Sequence, residues 1–476
     1  MNKDKQLHND KINLSQLVLL GLGSLIGSGW LFGAWEASSI AGPAAIISWV
    51  LGFLVIGTIA YNYIEIGTMF PQSGGMSNYA QYTHGSLLGF IAAWANWVSL
   101  VTIIPIEAVS AVQYMSSWPW HWAKPMRYLM ENGSISTYGL LAVYLIIVIF
   151  SFNSFQTIIN MGSEIKNPEK NIARGIAISL SISAVLYIIL QSTFITSMPQ
   201  SMLQHSGWNG INFNSPFADL AILLGINWLA ILLYIEAFVS PFGTGVSFVA
   251  VTGRVLRAME KNGHIPKFLG KMNEKYHIPR VAIIFNAIIS MIMVTLFRDW
   301  GTLAAVISTA TLVAYLTGPT TVIALRKMGP TMTRPFRAKI LKVMAPLSFV
   351  LASLAIYWAM WPTTAEVILI IILGLPIYFF YEYRMNWRNT KKQIGGSLWI
   401  IVYLIVLSIL SFIGSKEFKG LNMIHYPFDF IVIIIVALIF YYIGTTSSFE
   451  SVYFRRATRI NTKMHESLNN ESKSSH

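Results

Sequence analysis

The chain contains no cysteine among its 476 residues. That absence rules out disulfides, thiolate metal sites, iron–sulfur clusters and thiol catalysis, and it says nothing about compartment. Charge is scarce as well: Asp, Glu, Lys and Arg make up 11% of the sequence, against roughly a quarter in an ordinary soluble domain. The nine histidines fall outside the apolar runs in no metal-ligand spacing, and no Gly-Lys-Ser/Thr phosphate cradle occurs, so membrane enzymes and primary pumps lose support and no metal or cofactor is expected. Apolar content, by contrast, is abundant: 54% of residues belong to the hydrophobic set, with a mean hydropathy of +0.57. Several apolar runs exceed the 18 residues or so that a membrane helix needs, and the polar first 13 residues argue against a cleavable leader.

The apolar runs predict about twelve spans, at 14–40, 42–70, 85–117, 138–162, 173–197, 222–253, 281–297, 301–325, 340–361, 364–382, 396–414 and 428–445. The fold class is therefore an all-α polytopic membrane protein. Threading the runs alternately from a cytoplasmic N-terminus puts 28 of the 33 Lys and Arg on one side. Only Lys124, Arg127, Arg298, Lys416 and Lys419 fall opposite. Basic residues beside a span resist translocation, so both termini are expected in the cytoplasm of a plasma-membrane protein, and the net charge of +13 is a topology signal rather than a nucleic-acid patch. Trp118, Trp120 and Trp122 fit an interfacial belt. The segment from Thr446 to His476, polar and poor in apolar residues, is expected to be disordered.

Three features stand out within the spans. The first carries five glycines between Gly21 and Gly33, a density that either breaks the helix around a binding cavity or permits close small-xxx-small packing; the residues alone leave both readings open. A polar stripe, Ser151, Asn153, Ser154, Gln156, Thr157 and Asn160, marks the 138–162 run as one that bonds a neighbour or lines a wet site. Ser240-Pro241-Phe242-Gly243-Thr244-Gly245 is expected to interrupt the 222–253 span. Glu107 and Glu236, with Glu65 nearer a span end, are carboxylates inside the apolar runs with no Lys, Arg or His at similar depth. Such groups suit either proton coupling or a neutral structural role.

Four stretches in order resemble the amino acid-polyamine-organocation permeases: Gly23-Ser-Leu-Ile-Gly27-Ser-Gly29, Phe70-Pro-Gln-Ser-Gly-Gly75 with Tyr79, Glu164-Ile-Lys-Asn-Pro168 with Asn171, and Arg254-Val-Leu-Arg-Ala-Met259 with Gly263 and Pro266. The match runs from residue 14 to about 326, and the first stretch more weakly resembles the aspartate–proton symporter branch. The resemblance implies a leucine-transporter-type inverted-repeat fold and secondary transport of amino acids, not an enzyme. Proton-coupled symport, with acidic substrates in view and sodium as the other coupling ion, is the expectation. It implies a first helix broken at Gly27-Ser28-Gly29, with the amides of Ser28 and Gly29 on the substrate carboxylate and the carbonyl of Leu25 toward its amine. The family's sixth helix maps onto 138–162, whose break places the carbonyls of Phe150 and Asn153 at the amine and the Phe150 side chain over the site.

The chain departs from the family between Trp118 and Ser163, which has room for one helix where the family has three. The expected organisation is thus a tail at 1–13, a core at 14–326 with a truncated first repeat (14–117) and a second repeat (138–326), four accessory helices over 327–445, and a polar tail at 446–476. The alternative function is a non-transporting or partner-dependent remnant of such a permease, completed by an oligomer or a helper subunit.

Overall fold

The computed structural model describes residues 11–117, 151–273 and 278–474, apart from 26, 153, 298 and 385–389. Every regular element in it is helical, in keeping with runs of apolar residues too long for strands. The helices are α1 (Leu14–Leu25), α2 (Ser28–Ala41), α3 (Ala45–Met69), α4 (Met76–His84), α5 (Ser86–Ser117), α6 (Ser154–Asn160), α7 (Pro168–Ser197), α8 (Gln200–Ser206), α9 (Pro216–Leu223) and α10 (Asn227–Lys261). They continue as α11 (Lys267–Gly270), α12 (Arg280–Leu296), α13 (Trp300–Tyr315), α14 (Thr317–Met328), α15 (Leu341–Tyr357), α16 (Thr363–Ile372), α17 (Leu375–Arg384), α18 (Thr390–Ile413), α19 (Phe428–Thr446) and α20 (Val452–Ser474). Among the described residues eight stretches are long and apolar enough to cross a bilayer, joined by three shorter apolar helices. The expected span at 138–162 is described only from Ser151, and the Trp118–Trp122 belt lies outside the described residues.

Helix α5 is the hub: 89% of its most apolar stretch is buried, between α10 on one side and α13 on the other. Pro105 lies inside it and cannot donate to the carbonyl of Val101 one turn back. Ser290 Oγ on α12 donates to that carbonyl at 3.3 Å instead. Loop chemistry fixes several helix starts. Asp299 caps α13 by accepting the Thr302 amide at 2.8 Å, and Pro168 opens α7 after Asn167 in the left-handed region.

Three expectations are corrected. The Ser240–Gly245 stretch does not interrupt its span: α10 runs unbroken from Asn227 to Lys261 through Pro241, because the surrounding turns keep their ladder. The C-terminal segment is not disordered over 452–474 but forms α20. Its apolar residues recur at helical spacing, so Phe454, Ala457 and Asn461 are buried on one face while Arg455, Arg456 and Arg459 stay exposed. Asn461 holds the loop after α14 through two 2.8 Å bonds to the Thr333 backbone. Finally, Glu65 is not without a cation. Arg326 reaches it from the end of α14 by Nε to Oε1 at 2.8 Å and Nη2 to Oε2 at 2.5 Å, Arg334 stands at 3.5 Å, and the Ala338 amide donates at 2.8 Å.

Candidate functional site

The first span is two helices. α1 ends at Leu25 and α2 begins at Ser28, with Gly27 between them at φ −107°, ψ −142°. Gly27 brings no side chain to cap α2, and the start of a helix offers several unpaired amides with positive dipole character. Glu107 on α5 supplies the missing acceptor, its Oε2 receiving the Ser28 amide at 2.8 Å. The carboxylate lies so near the break that a Cβ added at Gly27 would stand 2.5 Å from Glu107 Oε1 and 3.0 Å from Thr244 Cγ2. A side chain at 27 would therefore have to push the Glu107 carboxylate off its place on the Ser28 amide. Thr244 Oγ1 on α10 donates to the Gly23 carbonyl at 3.1 Å, and Trp300 Nε1 on α13 donates to Ser28 Oγ at 2.9 Å. Elements far apart in sequence thus converge on Gly27 and Ser28. Gly29 is buried beside them.

Aromatic rings cover one side of this junction. Phe32 stacks on Trp300 at 5.4 Å and meets Tyr114 edge-on at 5.3 Å. Tyr114 Oη donates to the Leu31 carbonyl and accepts the Phe217 amide, and Phe217 lies 5.7 Å from the Trp30 ring. The other end of α1 is held by polar links. Arg254 at the end of α10 binds both oxygens of Glu164 at 2.7 and 3.1 Å. The backbone of Ile12, just before α1, exchanges 2.8 Å bonds with Glu164 and Lys166. Two of the motifs picked out in sequence, Glu164–Pro168 and Arg254–Pro266, therefore meet in space.

The polar stripe of the 138–162 run resolves into contacts with neighbours. Gln156 Nε2 donates to Asn96 Oδ1 at 2.5 Å and its Oε1 accepts from Tyr315 Oη at 3.1 Å, while Asn160 receives the amides of Gly74 and Met76. α6 packs against α1, as expected of a helix that faces the first span. Phe150 and Asn153 lie outside the described residues, and for Leu25 the backbone alone is described, as the last residue of α1. Glu107 is brought to the junction; Glu236 is not. It sits half-buried on α10, two turns from Thr244, with no ion pair or hydrogen bond among the described residues.

Sequence reasoning missed Trp300, Tyr114 and Thr244 as parts of this junction. An indole, a phenol and a threonine inside apolar helices carry no signal of their own; only the tertiary meeting of α2, α5, α10 and α13 gives them a shared partner. It also missed Gln191, which ties α7 to α2 and α3 through Trp49, Ala34 and Ser38.

Comparison with known proteins agrees with this architecture. A family model described as amino acid permease matches residues 12–125 and 123–369. The glutamate/serine transporter AimA of Bacillus subtilis is 43% identical, over 96% of this chain and 97% of the relative. The aspartate-proton symporter of the same organism is 29% identical over 90% and 95%, and its branched-chain amino acid permease BcaP 25% over 78% and 93%. A broken first span at the centre of an all-α membrane bundle, together with these matches, leads to one conclusion: the chain belongs to the amino acid permease family.

Proposed function

We propose that the chain is a proton-coupled symporter of acidic and small hydroxylated amino acids, with both termini in the cytoplasm of a cell membrane. The observation that carries the reading is the Glu107 carboxylate on the Ser28 amide at 2.8 Å. A helix start whose amide holds one carboxylate can hold another, and the two compete. Protonation of Glu107 weakens its hold on the amide and releases the place to the α-carboxylate of a substrate. Proton and amino acid then enter together. Release of the substrate lets Glu107 lose its proton and return to Ser28.

In this scheme the amides of Ser28 and Gly29 take the substrate carboxylate, and the carbonyls of Leu25, Phe150 and Asn153 face its ammonium. No formal protein charge is spent on the substrate. The substrate class is supported by relatives named for glutamate, serine and aspartate. Glu107 has the better claim to the proton, because it touches the break, whereas Glu236 stands apart from it. Sodium is the competing coupling ion.

Uptake of labelled serine, glutamate, aspartate and leucine into proteoliposomes, with an inward proton gradient and with sodium replaced by choline, tests this. Concentrative uptake of the first three that collapses with a protonophore and survives sodium removal is the expected result. Uptake that follows sodium and ignores the proton gradient would sink the coupling assignment.

A further inference from the structure

We propose that the cleft where the ends of α18 and α19 meet the start of α20, lined by Lys392, Gly395 and Arg455, binds the headgroup of an anionic phospholipid. The inference goes beyond the permease reading and takes from it only the cytoplasmic placement of the C-terminal segment.

The stretches Lys391–Ile413 and Phe428–Thr446 are each long and apolar enough to cross a bilayer, and the two helices pack on one another. The first residues of α18 and those just past α19 therefore lie where the apolar core of the bilayer gives way to headgroups. A cleft of about 530 Å³ opens there, with Lys392, Gly395 and Gly396 on the α18 side and Phe449, Glu450 and Arg455 across from them. That is a volume suited to a small polar group. A Cβ added at Gly395 would meet nothing within 4 Å, so this wall is bare backbone open to a ligand.

The cleft is positively charged. Lys391, Lys392, Arg455, Arg456 and Arg459 are all exposed, and none is in an ion pair among the described residues. Arg455 and Arg459 stand one turn apart on the face of α20 opposite the buried Phe454, Ala457 and Asn461. Glu450 is the single acid in the lining. Cations gathered at a membrane surface attract anionic headgroups, and a phosphate can bond a lysine and an arginine at once.

The wall below the cleft favours a lipid over a soluble anion. Gly395, Leu398 and Val402 recur at i, i+3 and i+7, so the open backbone continues as an apolar stripe on one face of α18. Leu398 is 49% exposed and Val402 40%, and Ile439 and Ile443 on α19 are exposed as well. A phospholipid fits both parts, with its phosphate between Lys392 and Arg455 and its acyl chains along the stripe. Such a lipid bridges α18 to α20. α20 in turn packs on α4, Asn461 holds the Thr333 backbone, and the Phe449 amide donates to the Thr83 carbonyl at 3.0 Å. An occupied cleft thus fastens the C-terminal helix over the turn into α5.

The test titrates the full chain in neutral detergent with phosphatidylglycerol, with phosphatidylcholine and with inorganic phosphate, and reads the melting temperature. Phosphatidylglycerol should raise it, and the other two should not. Lys392→Gln combined with Arg455→Gln should move the phosphatidylglycerol midpoint up about thirtyfold. Gly395→Trp, which fills the cleft without changing a charge, should weaken the response too. Lys392→Arg combined with Arg455→Lys should keep it, as should Lys267→Gln, which removes an exposed cation on α11. An unchanged midpoint in the double Gln variant would overturn the proposal. So would an equal rise with inorganic phosphate, since the site would then take a soluble anion, and so would an equal loss in Lys267→Gln, which would reduce the effect to general charge attraction. The readout is binding, so these outcomes stand apart from the success or failure of the transport reading.

Discussion

Glu107 and Ser28, 79 residues apart in sequence, are joined by a 2.8 Å bond from the Ser28 amide to the carboxylate, so the chain fills the start of α2 from within. An anion that arrives there from outside must displace a side chain of its own kind. This competition makes the junction sensitive to the charge of Glu107 and to the volume of residue 27.

Glu107→Gln keeps the shape and removes the charge. Gradient-driven accumulation should be lost while exchange of labelled for unlabelled substrate continues. Accumulation at the unmodified rate in Glu107→Gln would show that the proton is carried elsewhere.

Gly27→Ala places a methyl 2.5 Å from Glu107 Oε1, and overpacking of this kind costs about 1–3 kcal/mol. Shortening the partner should relieve it: Glu107→Ala in the Gly27→Ala background should melt higher in detergent than Gly27→Ala alone. Strict additivity of the two single changes would refute the contact.

Ser28→Ala retains the amide and removes only the hydroxyl that accepts from Trp300 Nε1. Gly29→Val instead crowds a buried position next to that amide. Substrate binding should weaken a few-fold in the first and vanish in the second, read as ligand-induced thermal stabilisation. An equal loss in both folded variants would point to helix packing in place of a backbone anion site.

Glu65 is fully buried between Arg326 and Arg334. Glu65→Gln strands two guanidinium groups and should destabilise the protein by about 3–5 kcal/mol. The contrast is Arg254→Gln: its pair with Glu164 is about one-third exposed on both sides, so a loss of about 1 kcal/mol or less is expected, with any change appearing in transport rate. Melting curves of the two variants that coincide would contradict this ranking.

His84 and His264, both outside the spans, are buried and kept neutral. Burial lowers the first to about 4 against the partial opposition of its bond to the Gly444 carbonyl, and burial alone lowers the second to about 3, both from 6.5. The unfolded chain takes up protons below 6.5 while the folded chain does not, so stability is complete above that pH and falls as pH drops toward 4. The slope approaches about 1.4 kcal/mol per unit per histidine. His264→Phe, set among the Phe90 and Tyr378 rings, should flatten it; an unchanged slope would remove His264 from the account.

The sequence by itself determined the membrane class, the apolar runs and the four motifs, since these follow from local quantities, run length and residue spacing, whereas the glycine density of the first span left a break and close packing both open until the structure separated α1 from α2. It also held the amphipathic period of α20, overlooked because the segment's composition is polar while its apolar residues keep a helical period. Only the tertiary structure decided which carboxylate does what. Glu65, Glu107 and Glu236 look alike as acids in apolar runs, yet one is clamped by Arg326 and Arg334, one caps a broken helix, and one looks out from α10. The reason is physical: the state of a carboxylate in a membrane is set by the donors that reach it, and those donors come from helices that sequence distance does not bring together.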